Sequence, residues 1–231
     1  MPTGTRSTSS RRSRADLHAG SSGFSYASWR PGFYPAGAKP GDFLRLYAER
    51  LPTVELNTTG YRLPSEEQFE RWAAQTPPGF TFAVKMPPRR IEAIAAFEER
   101  VRRLGDRLGP VRALVEQPRD DGFLELFLGS IDSGLRYALD LRDPSWDGVE
   151  ERLARSGAVR VGDLNADAPF RYLRYRDPPW DEAALAEIAG DLDPLLADGV
   201  EVFCYFRHEH EPAAPAAAAR LLELVAGPAG T

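Results

Sequence analysis

Eight short runs with strand-type character recur along this chain, and nearly every one is followed by a longer segment with helical spacing of apolar residues. The strand-type runs are 17–22 (LHAGSS), 53–57 (TVELN), 80–85 (FTFAVK), 111–116 (VRALVE), 136–141 (RYALDL), 158–162 (AVRVG), 170–175 (FRYLRY) and 201–206 (EVFCYF). Helix-type segments fall at 41–51, 65–75, 91–107, 122–132, 147–156, 181–197 and 214–226. A strand followed by a helical crossover returns to the same end of a sheet, so successive strands pair in parallel. Eight such units predict an α/β fold closed into a small (β/α)8 TIM-type barrel, with an open sheet as the alternative. Only the polar stretch DLNADAP follows 158–162, so the helix after strand six is expected to be missing. No GxGxxG closes the first strand and no Walker-type lysine motif occurs, which leaves a nucleotide-binding sheet without support.

Local signals agree with these boundaries. Ser65 precedes Glu66, Glu67 and Gln68, a side-chain cap with acids in the first helical turn. Asp181 is placed to cap the helix carrying Leu185, Ile188 and Leu192. Gly79 and Gly199 stand between a helix and the next strand, where positive φ is useful. Residues 1–15 are rich in Ser, Thr and Arg and too poor in apolar side chains to offset the entropy of ordering. They are expected to form a disordered tail, with one barrel domain over 16–226 and a frayed end at 227–231.

Of the 231 residues, 42% are hydrophobic and 27% charged, enough for a sizeable core. No apolar run approaches the ~20 residues that span a bilayer, so no membrane partner is expected. The N-terminus carries no apolar signal-type segment, and the cytoplasm is the expected compartment. Cys204 is the only cysteine, which excludes an intramolecular disulfide and a thiolate-rich zinc site. Formal charge is −5, and Arg6, Arg11, Arg12 and Arg14 lie within the first fourteen residues; without those four charges the rest carries −9. Such an acidic body disfavours a broad phosphate-binding face for nucleic acid.

In a parallel barrel the C-terminal strand ends build the active face. Here those ends are polar: Ser22, Glu55, Asn57, Lys85, Gln117, Asp140, Arg142, Asp163 and Arg174 close strands or follow them at once. Alternation decides which point inward. Val54 and Leu56 share one face and Glu55 and Asn57 the other; Phe82 and Val84 oppose Ala83 and Lys85; Leu139 and Leu141 oppose Asp140 and Arg142. Glu55, Lys85 and Asp140 are therefore the catalytic candidates, with Lys85 as proton donor or phosphate anchor and the carboxylates as an acid/base pair. A buried ion-pair network closing the mouth is the competing arrangement. Tyr26, Trp29, Tyr61 and Arg62 join Ser22, Asn57, Gln117, Arg142, Asp163 and Arg174 as candidate ligand contacts. The loop FSYASWRPGFYP would either stack Tyr26, Trp29 and Tyr34 on a sugar or base at the barrel mouth or form a hydrophobic plug packed under a long loop. His18, His208 and His210 are the only histidines, and HEHE at 208–211 reads as a solvated loop, so no metal or cofactor is predicted. Cys204 lies inside the apolar run VFCYF and reads as an inert buried thiol.

These motifs carry a resemblance. GSSGFSYASWRPGFYP resembles the opening of the YecE-like family, labelled domain of unknown function 72, and VELNTTGYRLPSEEQFERWAAQTPPGFTFAVKMP is similar to its second and third strands with the helix between them. LGPVRALVEQP and YALDLRDPSW are similar to its fourth and fifth strands. The resemblance implies a TIM-type barrel of unestablished activity, compared with endonuclease IV-like and xylose-isomerase-like folds. It carries the family motif onto Ser22, Gly23, Tyr26, Trp29, Glu55, Asn57, Tyr61, Arg62, Lys85 and Gln117. Later stretches depart from it. The family's Glu-x-Arg-His at strand five is here Asp140, Arg142 and Asp143; its Arg-Leu-His-Gly after strand seven is Arg174, Tyr175, Arg176 and Asp177; its Phe-Asn-Asn-Asp after strand eight is Phe206, Arg207, His208 and Glu209. Three functions remain open at this level: an enzyme acting on a sugar- or phosphate-bearing small molecule, a nucleic-acid binder or nuclease, and a non-catalytic ligand-binding or scaffold protein.

Overall fold

The computed structural model describes residues 17–87, 91–176, 178–207 and 211–227. Its strands are β1 (Leu17–Ser22), β2 (Thr53–Leu56), β3 (Thr81–Met86), β4 (Leu108–Val115), β5 (Tyr137–Leu141), β6 (Val159–Arg160), β7 (Phe170–Tyr175) and β8 (Glu201–Phe206). The helices are α1 (Phe43–Ala48), α2 (Glu66–Ala74), α3 (Ile94–Val101), α4 (Asp121–Ser130), α5 (Glu150–Arg155), α6 (Glu182–Ala197) and α7 (Ala213–Ala226). All eight strands pair in parallel in the order β6-β5-β4-β3-β2-β1-β8-β7. The last gap, between β6 and β7, is spanned where the Gly162 amide donates to the Tyr172 carbonyl at 2.9 Å. The sheet is thus a nearly closed TIM-type barrel. No helix lies between β6 and β7, as the polar connection predicts. No helix among the described residues is long and apolar enough to cross a membrane.

Capping follows the sequence. The Ser65 hydroxyl accepts from the Gln68 amide, and the Asp181 carboxylate accepts from the Ala184 amide at 2.9 Å. Gly79 and Gly199 both adopt φ of 84°, a backbone conformation that residues with a β-carbon adopt only under strain. Two segments differ from the sequence pattern. The expected strand 158–162 pairs over only two residues before turning at Gly162. The expected helix 91–107 divides into α3 flanked by 3-10 turns, with Gly105 at φ 56° breaking the second.

Alternation along the strands builds two apolar layers. Val54, Leu56, Phe82, Val84, Leu139 and Leu141 face outward into the large core under the helices. Ala83, Ala138, Val159, Phe170, Tyr172, Phe203 and Tyr205 form a second cluster inside the barrel. Small residues on β3 and β5 leave space for the aromatic rings of β7 and β8, so the interior is packed and not a pore. At the N-terminal end Glu201 accepts from His18 Nε2 at 3.0 Å and pairs with Arg136. The polar strand ends therefore stand above a filled barrel.

Candidate functional site

Glu55, at the inward-facing end of β2, is fully buried. Its carboxylate accepts from the Ser22 hydroxyl, from the Tyr172 hydroxyl at 2.7 Å, and from Arg174 Nε at 3.0 and 3.1 Å. Arg112 Nη1 lies 3.6 Å away. Burial alone would raise the Glu55 pKa. The charges of Arg174 and then Arg112, with the hydrogen bonds from Ser22 and Tyr172, outweigh it and hold the group at about 2. The Ser22 oxygen also accepts from Asn57 Nδ2 and Arg174 Nη2, each at 2.8 Å.

Asp140, at the end of β5, is enclosed by three guanidiniums. Arg112 donates to Oδ2 through Nε at 2.9 Å and Nη2 at 2.5 Å; Arg176 Nη2 donates to the same oxygen at 2.9 Å; Arg142 Nε lies 2.6 Å from Oδ1. Burial opposes ionisation of Asp140, but Arg112, then Arg176 and Arg142, hold its pKa below the usual carboxylate range. Arg112 consequently bridges the two carboxylates, and Glu55 raises its already high pKa against the cost of burial.

Of the three catalytic candidates, Glu55 and Asp140 are joined through Arg112, whereas Lys85 stands apart from both. Lys85 is next to Arg112 in strand register, yet its ammonium lies 4.6 Å from the Tyr61 ring centre and pairs with no carboxylate among the described residues. Gly60 presses on its stem. A β-carbon built there would come within 2.6 Å of Lys85 Cδ and 2.8 Å of Cγ. Since Lys85 is 8% exposed, it cannot swing aside. Gly60→Ala is expected to cost about 1–3 kcal/mol through overpacking. A urea titration giving wild-type stability would contradict that close contact.

The remaining candidates divide. Ser22, Asn57, Arg142 and Arg174 belong to the network described above. Trp29 is fully buried, packed against Tyr26, Phe33 and Tyr34, so this part of the aromatic loop forms a plug. Tyr26 is half-buried, and its ring stands 4.9 Å from that of Trp29. Tyr61 and Arg62 are exposed on the loop after β2. The Gln117 carbonyl accepts from Trp146 Nε1 at 2.8 Å, and Asp163 accepts from the Asn165 amide in a turn, outside the network. His208 and His210 lie outside the described residues, and among those described no three His, Cys, Asp or Glu side chains gather as a metal site. Cys204 is buried, and burial pushes its thiol pKa well up.

Arg112 and Tyr172 complete the network without having been singled out in the sequence, and Arg176 joins it from the polar end of β7 beside Arg174. The signal for Tyr172 is its period of two with Phe170 and Arg174. The signal for Arg112 is the Gly109-Pro110 pair at the start of β4, where register shifts between Phe82 and Val84 and brings Arg112 beside Lys85.

Comparison with known proteins places the fold in a family. The family model described as "Protein of unknown function DUF72" matches residues 18–230. The chain belongs to the DUF72 family. The UPF0759 protein YecE of Escherichia coli K12 is 30% identical over 133 residues, a match covering 52% of this chain and 49% of YecE. The chain thus aligns with about half the length of that curated relative. Among solved structures, a DUF72 family protein of Thermotoga maritima MSB8 has a TM-score of 0.79 at 23% identity, covering 91% of this chain and 99% of that one. A DUF72 family protein of Enterococcus faecalis V583 has a TM-score of 0.75 at 16% identity, covering 93% and 98%. These likenesses share the DUF72 barrel.

Proposed function

We propose that the barrel mouth binds an anionic, phosphate-bearing small molecule, with Glu55 and Asp140 positioning arginines instead of exchanging protons. The observation that carries this reading is an imbalance of charge. Arg112, Arg142, Arg174 and Arg176 meet only two carboxylates in the network, and Lys85 adds another cation beside Arg112. A general acid needs a pKa raised toward neutrality, and Glu55 and Asp140 are shifted the other way. The guanidiniums are instead preorganised donors, suited to planar recognition of phosphate oxygens. Arg142 and Arg176 are the accessible pair, with 35% and 25% of their side chains exposed. Arg176 Nε is buried with no hydrogen-bond partner among the described residues, an unused donor at the mouth. Lys85, held by no carboxylate among the described residues, adds positive charge at the level of Arg112 while its ammonium rests over the Tyr61 ring.

Thermal melts with inorganic phosphate and glycerol 3-phosphate test the reading, because a ligand that binds only the folded state raises the melting temperature. Both anions are expected to stabilise the protein and uncharged glycerol is not. The double variant Arg142→Gln/Arg176→Gln is expected to weaken binding by about tenfold or more, the loss of two charge-assisted contacts. Equal shifts for wild type and variant, or none for either anion, would overturn it. A single-stranded oligonucleotide that outcompetes glycerol 3-phosphate would favour the nucleic-acid alternative.

A further inference from the structure

A cavity lies beside the barrel mouth, where the ends of β1 and β2 meet α1 and α2, and it differs in chemistry from the mouth. It encloses about 690 Å³ between the loop after β1, the start of α1, the end of β2 and one face of α2. That volume falls in the range of about 300–1,000 Å³ usual for small-molecule sites. Its apolar wall comes from Phe24, Leu44 and Trp72, together with prolines. Trp72 is held by an edge contact with Phe69 at 5.5 Å and a stacked contact with Phe82 at 6.4 Å, yet remains half-buried, presenting its free part to the cleft. Among the described lining residues the charged ones are Arg62 and Arg71, and none is a carboxylate. Among the described residues Arg71 donates to the uncharged Gln68 amide at 2.8 Å and acts on the Glu67 carboxylate through its charge, and Arg62 makes no ion pair.

We infer that this cleft takes a flat aromatic ring bearing an anionic group. The ring would pack on Trp72, Phe24 and Leu44, and the anion would meet the Arg62 and Arg71 guanidiniums. An aliphatic ligand would forgo the aromatic wall. A cationic one would face two guanidiniums with no carboxylate among the described lining residues. Asn57 lines the cleft and donates to Ser22 at 2.8 Å, so one amide connects this site to the mouth network. The inference rests on residues separate from the arginines of the mouth and holds or fails independently of that reading.

The probe is 1-anilinonaphthalene-8-sulfonate, whose emission rises in apolar surroundings, compared with its uncharged counterpart N-phenyl-1-naphthylamine. Fluorescence titration of the full chain is expected to show one saturable site for the sulfonate. Arg62→Gln/Arg71→Gln should weaken it about tenfold or more and leave the uncharged probe unchanged. Trp72→Ala should weaken both probes, while Arg142→Gln/Arg176→Gln at the mouth should change neither. Arg62 and Arg71 are exposed, so their replacement leaves the fold intact, and circular dichroism verifies this. Sulfonate binding that survives loss of Arg62 and Arg71, that never saturates, or that disappears with the mouth pair instead would overturn the inference. The last outcome would leave the mouth reading standing.

Discussion

Arg112→Ala is expected to lower the unfolding free energy by about 3–5 kcal/mol, the cost of breaking a buried ion pair from one side. Arg112 has 2% of its side chain exposed, and it is the only guanidinium among the described residues that touches both Glu55 and Asp140. Removing it leaves Glu55 to Arg174 and Asp140 to Arg142 and Arg176, with two anions facing one another across a vacated space. Arg112→Met separates charge from packing, since methionine refills much of that volume without the cation. Urea denaturation at neutral pH is expected to show Arg112→Met recovering only part of the loss. A methionine variant as stable as wild type would mean that packing, and not the guanidinium, holds the two carboxylates together. The same pair of variants bears on the mouth, because Asp140 fixes Arg142 and Arg176, the two accessible cations. Without Arg112, Asp140 is shared between two arginines instead of three, and their orientation toward a ligand is less constrained.

The network also marks how far the sequence was readable. Period-two alternation places Glu55, Asn57, Lys85, Asp140 and Arg142 on inward faces, and the outward burial of Val54, Leu56, Phe82 and Leu139 agrees with it. The polar DLNADAP stretch predicts the missing helix, because nothing in it has an apolar face to bury. Register is a different matter. It depends on pairing between strands distant in sequence, which no single run encodes. The irregularity in β4 moves Arg112 to the level of Lys85, and inspection of strand ends alone passes over a residue in mid-strand. Tyr172 was hidden for a related reason: its hydroxyl meets Glu55 across 117 positions of chain. The Trp29 loop shows the opposite limit. Its aromatic composition suits stacking on a ligand and internal packing equally, and only the enclosure of Trp29 and Tyr34 by Phe33 and Phe43 distinguishes them. The lateral cleft was legible in part, since Tyr26, Asn57 and Arg62 stand among the candidate ligand contacts, but Arg71 and Trp72 on α2 carry no motif that joins them to it. Its two arginines lie nine positions apart, on a loop and a helix, and become neighbours of one cavity only when α2 docks beside β2.

The low pKa of Glu55 makes stability depend on pH in a calculable direction. Folding shifts the group from an ordinary 4.5 to about 2, so the folded state favours the ionised form. Its contribution is fully present above pH 4.5 and is lost as pH falls from there toward 2. The shift corresponds to a contribution on the order of 3 kcal/mol at neutral pH. Asp140 is lowered as well and adds to the same acid limb, so the wild-type curve alone does not isolate Glu55. Glu55→Gln does. The amide keeps the side chain's size and removes the titration, leaving Arg174 and part of Arg112 uncompensated in a buried site. At pH 7 the variant is expected to be less stable than wild type by roughly 3 kcal/mol. As pH falls below 4.5, Glu55 of the unfolded wild-type chain takes up a proton while the folded group stays ionised until pH nears 2, so the gap between the two proteins is expected to narrow steadily. Urea midpoints measured from pH 7 down to about 2.5 read this directly. A gap that stays constant across that range would show that folding does not lower the Glu55 pKa, and would remove the ion pairs with Arg174 and Arg112 as the reason the mouth holds its arginines in place.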